Sequence, residues 1–147
     1  MWPCVRSKVL SKKELQSWIA SGIIDYFPHK NNIKELLKEA HVVVLPSYRE
    51  GMPKILLEAS AIGRTIITTN APGCDECVKE DFNGIKVDPG DFQGLAQKMK
   101  EIGLNKEKIK LYGENSRKLA EEKYSDLEII LMHLEIYGEL FNLDSQV

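Results

Sequence analysis

The sequence predicts an α/β protein built on a parallel sheet, with additional helices at the carboxyl end. Three observations carry this expectation. The runs "VVVL" at 42–45 and "TIITT" at 65–69 are β-branched and show no alternation of apolar with charged residues, the pattern of strands covered on both faces. Segments of helical periodicity alternate with these runs, the order that buries a parallel sheet between helices. Gly and Pro punctuate the junctions, notably at Pro46, Pro53 and Gly63, where they stop strands, open helices and close them.

The elements follow in chain order. Residues 1–12 carry little pattern. Residues 23–27, "IIDYF", read as a short strand ended by "PHKNN". Asn32 followed by Glu35 has capping-box character, and Ile33, Leu36, Leu37 and Ala40 fall on one helical face. "VVVL" is the next strand. A helix starting near Pro53 runs through "KILLEASAI" to Gly63, then comes "TIITT", the turn-rich "NAPGCDE", a short amphipathic piece and "NGIKV" as a last strand. Asp91 can cap a helix over 92–102. Two more helices are expected near 106–123 and 126–141. The second carries a Ser125/Glu128 capping box and an apolar stripe of Leu127, Ile130, Leu131, Leu134, Tyr137 and Phe141.

Composition bounds the function. The chain has 147 residues, 43% hydrophobic and 29% charged, with a formal net charge of −2. A global positive field for nucleic acid is therefore excluded. The Lys-rich "NKEKIKLYGENSRK" also carries glutamates and reads as a solvated helix face rather than a phosphate patch. No apolar run reaches the roughly 18–20 residues of a membrane-spanning helix, and the start lacks signal-peptide character. Cys4, Cys74 and Cys77 suit a reducing compartment, so the expected location is the cytoplasm.

The stretch "SYREGMPKILLEASAIGRTIITT" holds the chemistry. Ligands of open α/β sheets bind beyond the carboxyl ends of strands, where helices begin. The first amides and the positive dipole end of the helix after Pro53 make an anion site. Gly51 lets a phosphate or sugar approach the backbone. Glu50 and Glu58 suit a ligand that also carries hydroxyls, because carboxylates accept hydrogen bonds from a diol. Glu58 lies roughly 8 Å along the helix axis from its start, so the pair can bracket the diphosphate of a nucleoside diphosphate sugar. The simpler reading is that Glu50 complements the helix dipole and Glu58 occupies a polar helix edge. Lys54 can reach a phosphate or point into solvent.

The stretch from Leu45 to Asp91, with "SYREGMPK" and "NAPGC", resembles the donor-binding half of family 4 glycosyltransferases of GT-B fold, especially bacterial transferases building capsule, O-antigen or lipid-linked glycans. The likeness extends from about Lys13 to Tyr137. It implies an incomplete Rossmann-like parallel sheet over 13–141, the second domain of such an enzyme, followed by a tail at 142–147. It also implies a retaining reaction without a metal. The donor would be held by Glu50, which is also the residue implied in catalysis, by Gly51, Met52 and Pro53 near sugar and phosphate, by Glu58 at the ribose, and by Gly73 and Glu76 in a second loop. Asp75 departs from the basic residue expected beside them. His29 falls where the family holds the base, although a loop histidine is as readily solvated.

The resemblance further implies that an acceptor-binding domain and two strand–helix units with a basic pair are missing. The chain then reads as a carboxyl-terminal piece working with a glycan or lipid-linked acceptor held elsewhere, with a complementing chain as partner, or peripherally at the inner membrane face. A non-catalytic nucleotide-sugar-binding or assembly module from a split or degraded gene is the alternative. Cys74 and Cys77 form a C-x-x-C, which raises a redox or zinc site. A second ligand pair is lacking, so small buried cysteines in a turn are the simpler reading. Trp18 is expected to be packing.

Overall fold

The computed structural model describes residues 10–29, 32–125 and 130–138. Two compact units divide at Asn32. In the first, helix α1 (Lys12–Ala20) is opened by a complete capping box: Ser11 Oγ accepts from the Glu14 amide, and Glu14 accepts from the Ser11 amide at 3.0 Å. Satisfying two orphan amides reciprocally fixes the helix start. Residues 24–29 form no strand, contrary to the expectation at 23–27. Ile23, Tyr26 and Phe27 are exposed, and no described strand pairs with this segment, so its backbone has no ladder to join. Trp18 is 44% exposed and does not pack as expected.

The second unit holds the sheet. Helix α2 (Ile33–Glu39) precedes strand β1 (Val42–Leu45), helix α3 (Lys54–Ala61), strand β2 (Thr65–Thr69), a 3-10 turn Asp75–Cys77, strand β3 (Gly84–Val87), helix α4 (Phe92–Gly103) and helix α5 (Lys106–Lys123). Glu35, expected in a capping box with Asn32, pairs with Lys38 at 3.1 Å. The strands are parallel in the order β1-β2-β3, with Val43 beside Ile66 and Ile67 beside Ile85.

This register sorts side chains by parity. Val43 and Ile66 join Leu37, Leu56, Ala59, Cys77 and Val78 in one core. Ile67 and Ile85 join Ile102 and Tyr112 in a second core, with Val42, Val44, Leu95 and Ile109 packed around it. Successive strand residues point to opposite faces, so an unalternating run feeds both cores. All five residues of β2 are buried. β1 falls short of the expected two-sided burial, since only Val43 of its four residues is buried. Its position at the end of the sheet leaves it without a second neighbour among the described strands.

Helix α5 is latched to the sheet by polar groups. Thr65 Oγ1 donates to the Ile109 carbonyl at 2.8 Å, Ser116 Oγ to the Asn83 carbonyl at 3.1 Å, and Tyr112 to Asp81 at 3.0 Å. Buried Asn83 closes the 77–83 loop, donating to Cys77 O and accepting from the Lys79 amide. Asp91 caps α4 as expected, accepting from Gly94 N at 2.8 Å. Residues 130–138 are helical. The expected stripe is not buried there: Ile130, Leu131, Leu134 and Tyr137 are exposed, because no described element covers them. Leu127, Glu128 and Phe141 lie outside the described residues, and with Glu128 the expected cap at Ser125.

Cys74 and Cys77 are both fully buried free thiols. Burial, reinforced by Cys74, Glu76 and Asp75, pushes the Cys77 thiol up from 9.0 to about 11. A reactive thiol needs the opposite shift. The folded state therefore favours the protonated form. Stability is fully present below pH 9 and falls as pH rises from about 9 toward 11, by on the order of 2 kcal/mol. We predict that denaturant midpoints decline across this window and that Cys77→Ala flattens the decline. In a Cys4→Ser background, Cys74 and Cys77 should resist alkylation until the chain unfolds.

Candidate functional site

The carboxyl ends of β1 and β2 create the site, and two threonines of β2 set its shape. Thr68 Oγ1 donates to the Leu45 carbonyl at 2.9 Å, and Thr69 Oγ1 to the Ser47 carbonyl. Both threonines are buried, so neither hydroxyl has water as an alternative and each holds the chain leaving β1. Ser47 Oγ then donates to Glu50 Oε1 at 2.7 Å, and the Glu50 amide donates to the Pro72 carbonyl at 3.1 Å. The carboxylate of Glu50 is thus oriented from its own loop, and its backbone is tied to the loop after β2.

Gly73 makes this junction possible. Its φ is +81°, and a Cβ there would fall 1.7 Å from the Gly51 carbonyl oxygen and 2.5 Å from that of Glu50. The two loops meet backbone to backbone, where only glycine fits. Gly51 is the complement: a Cβ there would meet nothing within 4 Å. One glycine is required by packing, while the other faces open space.

Pro53 is buried and is the N-cap of α3 rather than its first residue, with no side-chain cap hydrogen bond. Met52 is 51% exposed beside it. Glu58 lies one turn into α3, its side chain 23% exposed, with Lys54 Nζ 3.6 Å from its Oε1. That i, i+4 pair answers the open question about Lys54: the ammonium is largely in solvent but leans toward Glu58. Glu76 is exposed in the 3-10 turn, where its carbonyl accepts from Tyr124 at 3.4 Å. Glu50, Gly51 and Gly73 are therefore in direct contact, Met52 and Pro53 continue the same loop, and Glu58 and Glu76 stand on the two flanking elements. His29 belongs to the first unit. Among the described residues no group of three or more His, Cys, Asp or Glu is placed to hold a metal.

Sequence reasoning missed Ser47, Thr69 and Pro72, which position Glu50. The signal for Ser47 was its place three residues before Glu50 in "PSYRE". The threonines offered none, because a strand hydroxyl reaching a neighbouring loop depends on register.

The alignment with known proteins agrees with this architecture. Residues 11–119 match the family described as "Glycosyl transferases group 1". The N,N'-diacetylbacillosaminyl-diphospho-undecaprenol alpha-1,3-N-acetylgalactosaminyltransferase of Campylobacter jejuni is 29% identical over 123 residues, covering 84% of this chain and 32% of that protein. The capsular polysaccharide biosynthesis glycosyltransferase CapM of Staphylococcus aureus is 35% identical over 107 residues, covering 72% and 28%. The chain thus spans about a third of the length of these curated relatives. The crystal structure of Anabaena HepE with UDP, a GT-B glycosyltransferase, superimposes with a TM-score of 0.80 at 21% identity, over 86% of this chain and 36% of that one.

The two glycines give separable outcomes. Gly73→Ala should destabilise the fold by well over the roughly 1–2 kcal/mol of a left-handed alanine, because the overlap with Gly51 adds to it. Gly51→Ala should leave the thermal midpoint nearly unchanged, because the added Cβ meets nothing within 4 Å. Equal effects of both variants on stability would contradict this geometry. By its match to the family and its fold, the chain belongs to the group 1 glycosyl transferases.

Proposed function

We propose that this chain is the donor-binding part of a retaining, family 4-type glycosyltransferase. It would move a hexose-type sugar from a nucleoside diphosphate sugar to a glycan or lipid-linked acceptor in surface polysaccharide synthesis. The observation that carries this reading is the pinned Glu50–Gly51 backbone, held by Gly73 and Pro72 beside the uncapped start of α3. One relative named above is a diphospho-undecaprenol N-acetylgalactosaminyltransferase and another is named for capsular polysaccharide biosynthesis, which supports the acceptor class.

In this reading the diphosphate lies at the α3 N-terminus, where free amides and the dipole favour negative charge. Gly51, Met52 and Pro53 line its approach, and Gly73 and Glu76 close the second loop. Glu50, oriented by Ser47, accepts hydroxyls of the donor sugar near the reacting carbon. Glu58 accepts the ribose hydroxyls, with Lys54 Nζ 3.6 Å from its Oε1. Leaving-group charge is met by preorganised dipoles and basic groups rather than by a metal. The acceptor is held by a further domain or a complementing chain, in the cytoplasm or at the inner face of the membrane.

A non-catalytic binding or assembly module is the second reading. It is favoured by β1, whose outer edge has no partner among the described strands, an arrangement that invites pairing with another segment.

Two measurements test the proposal. Glu58→Ala should weaken binding of a nucleoside diphosphate through lost hydrogen bonds worth about 1.5–3 kcal/mol each, while binding of the 2′,3′-dideoxy analogue should barely change. Equal losses for both in calorimetry would remove the ribose assignment. The isolated chain should show no sugar transfer in a radiolabelled-donor assay. A helix dipole offers about half a unit charge against the diphosphate, and in this reading the acceptor is positioned by groups outside these 147 residues, a term of up to roughly 7–11 kcal/mol. Turnover lost in Glu50→Ala would show instead that the chain works alone.

A further inference from the structure

The opposite end of the sheet holds a second cleft, of about 1160 Å³, between the amino-terminal ends of β1 and β2 and one face of α5. Its floor is apolar, with Val42 and Ile109, and its walls are basic. Arg64 comes from the turn before β2, whereas Lys106, Lys110, Arg117 and Lys118 recur along α5 at intervals that place them on one side of the helix. Glu114 is the one carboxylate among the lining residues, and it pairs loosely with Lys110 at 3.9 Å.

The charge on these walls is poorly neutralised. Arg64 spends two donors on the Leu37 and Lys38 carbonyls, each at 2.9 Å, and makes no ion pair among the described residues. Those bonds fix the guanidinium without cancelling its charge. Arg117 is held by Glu121 and by the Ala61 carbonyl. Lys106 and Lys118 are exposed and make no ion pair among the described residues. A chain of net charge −2 thus gathers an excess of cations around one concave surface. From sequence, the α5 lysines read as a solvated face. The turn carrying Arg64 turns that face into one wall of a cleft.

We propose that this cleft binds a phosphoryl group, separately from the site at the carboxyl ends of the strands. Fixed guanidinium groups suit planar, bidentate recognition of phosphate, and lysines add mobile point charges. An apolar floor beneath a basic rim fits the phosphate of a molecule that also has an uncharged body. The phosphate can belong to a soluble metabolite or to a lipid headgroup.

Pyrophosphate in solution and phosphatidylglycerol vesicles, with phosphatidylcholine vesicles as control, distinguish these sources. Lys106→Glu combined with Lys118→Glu removes exposed cations that make no ion pair among the described residues, and an unchanged thermal midpoint verifies that the fold survives. Binding of pyrophosphate, or of anionic vesicles only, should fall at least about tenfold in this variant, the loss of one charge-assisted contact. It should weaken with added salt and persist in a Gly51→Ala variant, whose added methyl group narrows the approach to the α3 amides. Loss in that donor-site variant with retention in the lysine variant would overturn the cleft while supporting the donor site. No binding of either probe, or binding indifferent to the lysines, would also overturn it.

Discussion

The close approach of Gly73 to Gly51 is the constraint on which the candidate site depends. Two loops leaving neighbouring strands meet without a side chain between them, and the contact fixes both at once. The Gly73 loop brings the Pro72 carbonyl to the Glu50 amide. The Gly51 side keeps its carbonyl against Gly73 and its open face toward solvent. A positive φ is needed at Gly73 because an extended residue would carry the chain away before this contact forms. Strand β2 makes the contact rigid, since Thr68 and Thr69 hold the β1 loop from the sheet itself.

Much of this was legible in the sequence because its causes are local. β-Branched runs gave β1 and β2, Asp91 gave the start of α4, and Gly63 marked the end of α3, where its φ of +72° follows the C-cap Ile62. The failures have a common cause in tertiary context. "IIDYF" is apolar enough for a strand, but strand formation requires a neighbour whose backbone can complete the ladder. The stripe at Ile130, Leu131, Leu134 and Tyr137 has helical period, and residues 130–138 are helical, yet burial requires a surface to pack against. Periodicity specifies what a segment can bury, whereas the partner decides whether it does.

The site divides along the same line. Glu50, Gly51 and Gly73 were visible as a motif, and their contact is now explained by geometry. Thr69 was invisible because its role arises from register between β1 and β2, in which Leu45 lies beside Thr68, whereas the bond from Ser47 to Glu50 is local, three residues along the chain. The C-x-x-C shows the converse. Its spacing suggested chemistry, but both sulfurs are buried, Cys77 reaches only the Gly73 carbonyl at 3.5 Å, and burial suppresses the thiolate. Cys77 packs in the core with Leu56 and Val78 while its thiol reaches the Gly73 carbonyl, so it ties the glycine loop to that core.

Glu58 keeps hydrogen-bonding capacity that the fold leaves unused. A carboxylate has two oxygens and about four acceptor positions. Lys54 approaches only Oε1, at 3.6 Å, longer than a good charge-assisted hydrogen bond. On an exposed helix such a pair contributes roughly 0.3–0.5 kcal/mol, too little to justify a partly buried carboxylate in an otherwise apolar helix. Lys54 thus stands beside Glu58 without occupying all of its acceptor positions. A vicinal diol needs two acceptors on one rigid group, and Glu58 retains them. The proposed ribose contact would draw on this remaining hydrogen-bonding capacity, which the pair with Lys54 leaves unused.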